Sequence, residues 1–354
     1  MILLLILLAS MQDLDLPSMP EAKSTVLLKG GVDLLMFSPD SRALLAFQFS
    51  ETAVLSVDES RELYRIPGMP VGYPTDETVV LLSSKGLEVR GGPGWQSVLT
   101  AFDLPEDRTT ALGVDRRSDQ MLMAQHTENG IEFLKVSFSG ELRRLSANLG
   151  CTQVDRLAFR RGNRLTLVVA ACKSSPVLEV LSIEEGSEAS PLSRLYQIAV
   201  EDIEDPGPAG FSKGRLLITQ DSRYLVSSHF DQQLRVWRLN DGGRLNLETS
   251  AGSVVGLLEA PDEDLILELV AEGRRRRLQM RQMPGFTRVA ALSDRFSLPF
   301  AMSLSDAGDL AVSSFCPRDE SIQLPDGRTV TREKRQPCLR IYAWQDVLET
   351  ARLR

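Results

Sequence analysis

Along most of the chain, apolar residues alternate with polar ones in short runs broken by clusters of Asp, Ser, Gly and Pro. A period of two marks strands, not helices. The run "LVSSHFDQQLRVW", Leu225–Trp237, is one such unit: an apolar strand, a polar turn, and a second strand ending on tryptophan. "LMAQHTENGIEFL" (Leu122–Leu134), "LAFQFSETAVLSV" (Leu45–Val57) and "VVAACKSSPVLEV" (Val168–Val180) lie beneath it without a gap. Chance alternation would not hold the turn in register across four separated segments, so the pattern reads as an internal repeat.

Upstream of each unit comes another turn signal, preceded by a further apolar run. Seven such turns are centred on Asp40, Asp76, Ser118, Gly162, Asp221, Asp262 and Ala307, spaced 36, 42, 44, 59, 41 and 45 residues apart. A four-stranded propeller blade occupies ~40–45 residues. The long interval carries "EDIEDPGPAGFSKG", Glu201–Gly214, an insertion punctuated by Gly and Pro. With strands named a to d from the axis outwards, each turn joins a to b. Fourth strands follow at Glu62–Ile66, Gln96–Phe102, Glu141–Leu145, Ser193–Val200, Arg244–Thr249 and Phe286–Leu292. The seventh blade has none before the chain ends, whereas an unassigned strand, Ser24–Gly30, stands at the front. A ring buries its edges only if last and first blades join. The pattern therefore predicts an all-β fold: a seven-bladed propeller of four-stranded antiparallel blades, closed by the N-terminal strand.

"FSPDSRALLAF", "TQDSRYLVSSHFDQQLRVW" and "CLRIYAW" resemble the strand motifs of WD-repeat-like β-propellers, over roughly residues 24 to 345. In that family a serine, a tryptophan, a turn aspartate and a preceding Gly-His form a hydrogen-bonded set. Ser227, Asp231 and Trp237 match it; the Gly-His is absent before blade five, and Tyr342 stands at the tryptophan position of blade seven. The motif stabilises blades and catalyses nothing, so the resemblance implies a fold and no functional subfamily.

Composition narrows the classes. At 354 residues, with 43% hydrophobic and 25% charged residues, the chain has ample core for a large repeat architecture. A net charge of −8 argues against nucleic acid as partner. No run reaches the ~18 apolar residues of a transmembrane span. The start differs from the rest: Ile2–Ala9 is wholly apolar, then comes Ser10 and a polar, proline-bearing stretch to Pro20. Residues 1–20 thus resemble a secretory signal lacking its basic leader, and 21–354 read as one propeller domain. The expected compartment is secreted or periplasmic; a mis-assigned start and a cytoplasmic protein are the alternative.

The strand register bears on the four cysteines. Cys151 precedes strand a of blade four and Cys172 ends its strand b, while Cys316 ends strand b of blade seven and Cys338 opens strand c. Two local disulfides, Cys151–Cys172 and Cys316–Cys338, follow, in keeping with an oxidising compartment; four buried thiols in a cytosolic ring are the other reading. Both pairs lie on the face carrying the b–c and d–a loops, here called the top. Arg274, Arg275, Arg276 and Arg277 fall at the b–c turn of blade six, and Arg318, Arg328, Arg332, Lys334 and Arg335 in the long segment Pro317–Pro337 of blade seven. That segment has its own turn signal, Pro325-Asp326-Gly327, and predicts a hairpin arm tied at its base by Cys316–Cys338. The basic groups are candidate contacts for an acidic partner, set against the acidic Glu201–Asp205 on the same face.

No chemistry stands out. His126 and His229 occupy equivalent positions in two blades, and no Cys/His spacing suits zinc. No nucleophile elbow or phosphate loop is present, and "GGPG", Gly91–Gly94, reads as a tight turn. No catalytic residue, metal or cofactor is expected. The sequence points to a non-catalytic protein-interaction scaffold presenting top-face loops; a lactonase-like or glycan-acting hydrolase with its site at the mouth of the central channel is the alternative.

Overall fold

Seven four-stranded antiparallel sheets follow one another along the chain. The computed structural model describes residues 16–352 apart from 76, 84–85, 103–108, 115–119, 129, 138–140, 163–164, 174, 185–191, 201–214, 230, 232, 250–251, 261–263, 273–274, 294–300 and 324–327. The apolar start, the Glu201–Gly214 insertion, Arg274 and the turns centred on Asp76, Ser118 and Asp262 therefore lie outside the described residues or in their gaps. Blade one comprises β2 (Leu34–Phe37), β3 (Ala43–Gln48), β4 (Glu51–Ser56) and β5 (Arg61–Pro67). Blades two to six repeat this order: β6–β9 (Met69–Phe102); β10–β13 (Thr109–Ser146), with β11 at Gln120–Thr127; β14–β17 (Val154–Ala199), with β14 at Val154–Arg161 and β15 at Leu165–Cys172; β18–β21 (Leu216–Thr249); and β22–β25 (Ser253–Ser293), with β24 at Arg275–Gln282. Blade seven takes β26 (Met302–Leu304), β27 (Asp309–Gln323) and β28 (Thr329–Ala343) from the C-terminal end and β1 (Ser24–Leu27) from the N-terminal end. The closing strand pairs antiparallel with β28, Ser24 opposite Ile341 and Leu27 opposite Cys338. It is shorter than the Ser24–Gly30 expected, because Gly30 and Gly31 already belong to the connection into blade one.

The repeated turn sequence has a chemical basis. In blade one the Ser38 hydroxyl donates to Asp40 Oδ1 (2.6 Å), and that oxygen accepts the Arg42 amide (3.1 Å). In blade five Thr219 donates to Asp221 Oδ1 (2.7 Å), which accepts from Arg223 N (2.9 Å). Each turn then crosses positive φ, 61° at Ser41, 59° at Ser222 and 83° at Gly308 in blade seven. Asp and Ser recur there because their side chains satisfy amides the ladder cannot reach.

Strands b and c are largely buried on both faces because each blade is sandwiched between two others. The core is accordingly divided among the seven interfaces. Leu267, Leu278, Leu310 and Tyr342 pack blade six on blade seven, and Leu35, Leu55, Ala311 and Ile341 pack seven on one. The remaining five interfaces have clusters of their own. One element was not legible in the strand pattern: helix α1, Trp344–Arg352, buries Trp344, Val347 and Leu348 at helical spacing. With Met19 it caps the blade six–seven core. The stretch before β1 is pinned there too, through Met19 N to Ser293 O (3.1 Å) and an ion pair of Lys23 with Asp309 (3.2 Å). No described helix is long and apolar enough to cross a membrane.

Candidate functional site

Among the described strands the longest pair, β27 and β28, belongs to blade seven and rises on the top face. Strands β27 and β28 do not stop at the blade, as expected from cysteines at their ends; they run through the cysteines as one ladder without a register shift. Neighbouring strands stop early: β26 pairs only with Leu310–Val312 and β1 only with Cys338–Ile341. Nine further rungs, Phe315 opposite Pro337 to Gln323 opposite Thr329, carry the pair on as a two-stranded arm. At ~3.4 Å per residue it is about 27 Å long. The turn Pro325–Gly327 lies outside the described residues. Two prolines are tolerated because of where they fall. The Pro337 carbonyl accepts from Leu28 N (2.9 Å), on the β1 side, so its nitrogen also points away from β27 and no rung is lost. Pairs alternate, so Pro317, opposite Arg335, sits in the same kind of rung.

Both cysteine pairs are at disulfide distance, each with Cα atoms 5.8 Å apart. Cys316 and Cys338 are diagonal across the ladder, not face to face over a loop, since Cys316 opposes Gln336 and Cys338 opposes Ser314. The bridge thus fixes register at the foot of the arm. Cys151–Cys172 joins the lead-in of β14 to the end of β15.

The candidate basic residues are not one cluster. Arg275, Arg276 and Arg277 open β24, opposite Glu272, Ala271 and Val270; they are strand residues and not the turn itself. Arg277, expected at the b–c turn as a candidate contact, is instead a strand residue only 7% exposed. In the ladder it lies between Val270 and Ser293, in the middle of the sheet and away from its open edge. Arg318, Arg328, Lys334 and Arg335 are exposed on the arm, and Arg332 occupies a β28 position opposite Glu320.

The family-like set in blade five is complete by an unexpected route. Trp237 Nε1 donates to Ser227 Oγ (2.9 Å), and His229 Nε2 lies 3.1 Å from that same oxygen. The histidine comes from the end of strand b, replacing the missing Gly-His. Asp231 holds Arg235 through two contacts (2.6 and 3.2 Å), and Arg235 is fully buried. Arg235 was not singled out in the sequence; its alternation with Val236 and Leu234 is that of any strand. Burial, then Arg235, bring the His229 pKa down to about 4 against the opposing pull of Asp231. His126, by contrast, is exposed in β11. The two histidines are structural and solvated respectively.

At the top of blades four and five, strand a and its flanks bring Asp155, Arg156, Lys173 and Arg215 into one electrostatic group. Desolvation raises the Asp155 carboxyl pKa against the pull of Arg156 and Lys173, and desolvation together with Arg156 lowers that of Arg215. Among the described residues this group holds one carboxyl and three cations. Among the described residues no group of three potential metal ligands assembles.

Comparison with known proteins agrees with this architecture. No family model matches the chain, and no curated protein sequence does. Solved structures do. A chain of a mitotic checkpoint complex superposes with a TM-score of 0.61 at 13% identity, covering 94% of this chain and 98% of that one. U3-55K gives 0.59 at 16% identity, covering 91% and 99%. The WD40 repeats of RRP9 give 0.59 at 15% identity, covering 91% and 98%.

Proposed function

We propose that this chain, which has the fold of a seven-bladed WD40-repeat propeller, is a non-catalytic scaffold that presents its top face to an acidic protein partner. One observation carries the reading: the ring bears a two-stranded arm about 27 Å long with a cysteine pair at its foot. Loops and arms held on rigid frames are the usual carriers of recognition. A fold neighbour being a component of a multi-protein checkpoint complex accords with it. The two cysteine pairs suit an oxidising compartment, secreted or periplasmic, as does the signal-like start. The test replaces Pro317–Pro337 by a short turn and compares capture of binding proteins from the native source with that by the intact chain. Loss of the captured partner at unchanged melting temperature is expected. Identical capture by both would refute the reading and return attention to Asp155 and the channel mouth.

A further inference from the structure

Among the described residues three aromatics stand at positive φ: Phe49 at 59°, Trp95 at 52° and Phe286 at 55°. That region crowds the Cβ of an L-residue, and for a bulky side chain something else must offset the strain. For two of them the offset is the core. Trp95 is 8% exposed between blades one and two, and Phe286 is fully buried between blades five and six. Phe49 is instead 83% exposed, more than any other described large hydrophobic residue. It opens the two-residue turn between β3 and β4, with Gln48 opposite Glu51, a place that glycine usually takes. An exposed leucine on a strand needs no explanation. A phenylalanine kept at positive φ with its ring in solvent does.

The turn around it is held on both flanks. Gln48, buried, donates through Nε2 to Gly30 O (2.7 Å) and Gly31 O (3.3 Å), and its Oε1 accepts from Arg65 Nη2 (3.0 Å). Gly68 N donates to Ser50 O (3.0 Å), and Thr52 Oγ1 donates to Gly68 O (2.5 Å). The ring lies along bare backbone: a Cβ on Gly30 would stand 2.9 Å from its Cε2 and 3.2 Å from its Cζ. Leu28, two residues before Gly30, donates its amide to Pro337 O (2.9 Å) at the foot of the arm. Phe49 therefore stands beside that foot on a fixed base. Leu27, also exposed, lies three residues before Gly30, within about 10 Å of it. Lys29 precedes Gly30, Asp33 N donates to Phe47 O (3.0 Å), and Ser50 and Glu51 follow Phe49; all four side chains are exposed.

An apolar ring fixed in advance and bordered by polar groups has the anatomy of an interface centre. We infer that Phe49 is the aromatic anchor of the top face and enters an apolar pocket of the partner protein, one phenyl ring wide. The inference rests on the scaffold reading and adds to it an apolar contact beside the foot of the arm. A second copy of this chain is disfavoured as occupant. An isologous contact through Phe49 would set Asp33 and Glu51 of one rim against the same acids of the other. A lipid surface is disfavoured too, because those two acids outnumber Lys29 at the edge of the ring, and aromatics seated in membranes are flanked by cations.

The experiment uses the full chain and has two parts. In urea unfolding, the midpoint of Phe49→Gly should be no lower than that of the unsubstituted chain, because glycine relieves the strained φ and no core packing is lost. A lowered midpoint would mean that the ring stabilises the fold from its place over Gly30, and the anchor would fall. In the second part p-benzoylphenylalanine, which keeps the aromatic ring, replaces Phe49, and the chain is irradiated in an extract of the native source. The same replacement of Leu245, exposed on the outer strand of blade five, is the control. Position 49 should cross-link to one protein, at residues lining an apolar pocket, and position 245 should not. In competition, Phe49→Gly should need about tenfold more protein than the unsubstituted chain, as loss of a central aromatic contact requires. Equal cross-linking from both positions would reduce Phe49 to ordinary exposed surface. Cross-links to a second copy or to lipid overturn the protein pocket. Absence of a cross-link from position 49, in a chain that still captures a partner through the arm, overturns the anchor and leaves the scaffold standing. Absence of any capture overturns both.

Discussion

His229 makes the stability of blade five depend on pH in a calculable way. Its imidazole is 7% exposed, touches Ser227 Oγ and faces the buried Arg235, with Asp231 as the opposing charge. The neutral ring accepts the serine proton while Trp237 donates to the same oxygen, so protonation would place a second cation beside Arg235 and cost the serine its acceptor. With the pKa lowered from 6.5 unfolded to about 4 folded, the unfolded chain binds one more proton across that window. Stability is then complete above pH 6.5, falls as pH drops through the window, and stops falling below about 4. Integration gives a loss of about 2 kcal/mol between pH 7 and pH 5, approaching about 3 kcal/mol at the lower limit. Urea unfolding of the wild type and His229→Gln at pH 7, 6 and 5 would measure it. Carboxylates elsewhere titrate alike in both proteins, so the difference isolates this histidine. The wild type should lose about 2 kcal/mol more than the variant over that range. Parallel pH profiles would show that the imidazole is hydrated or charged in the fold, and the reasoning would fail.

Removing residues 1–30 should destabilise the ring far more than removing 1–20, because only the longer deletion strips β1 from β28; comparable melting temperatures would contradict the closure. Non-reducing peptide mapping of protein from its native compartment should recover Cys151–Cys172 and Cys316–Cys338 as two cross-links, each stabilising by about 3 kcal/mol in the chain-entropy model. Four alkylatable thiols would count against the oxidising compartment. Glu268→Gln should cost about 3–5 kcal/mol in denaturant unfolding, since Arg281, 2.7 Å from that carboxylate and equally buried, would lose the anion that faces its Nε. A neutral result would mean that Gln279 and the Phe286 ring, 5.0 Å from the guanidinium, suffice for it.

What the amino-acid order determined by itself is the blade. Alternation, the Ser/Thr-x-Asp-Ser-Arg turns and their spacing specify strands and a–b connections, because each is a local matter of pleat and side-chain hydrogen bonding. Even the closing strand was legible, since a ring leaves one fourth strand missing at one end and one spare at the other. Helix α1 was not: Trp344, Val347 and Leu348 become an apolar stripe only where blades six and seven offer a surface to cover. The same limit applied to the functional face. The sequence brought nine basic residues into one patch, but the fold divided them, burying Arg277 and putting Arg335 on the opposite side of the arm from Lys334. The side on which a residue stands is set by register parity, and the neighbour it faces by the order of blades around the ring. Both are properties of the closed structure, so composition could announce a basic surface while only tertiary pairing decided which of its charges converge.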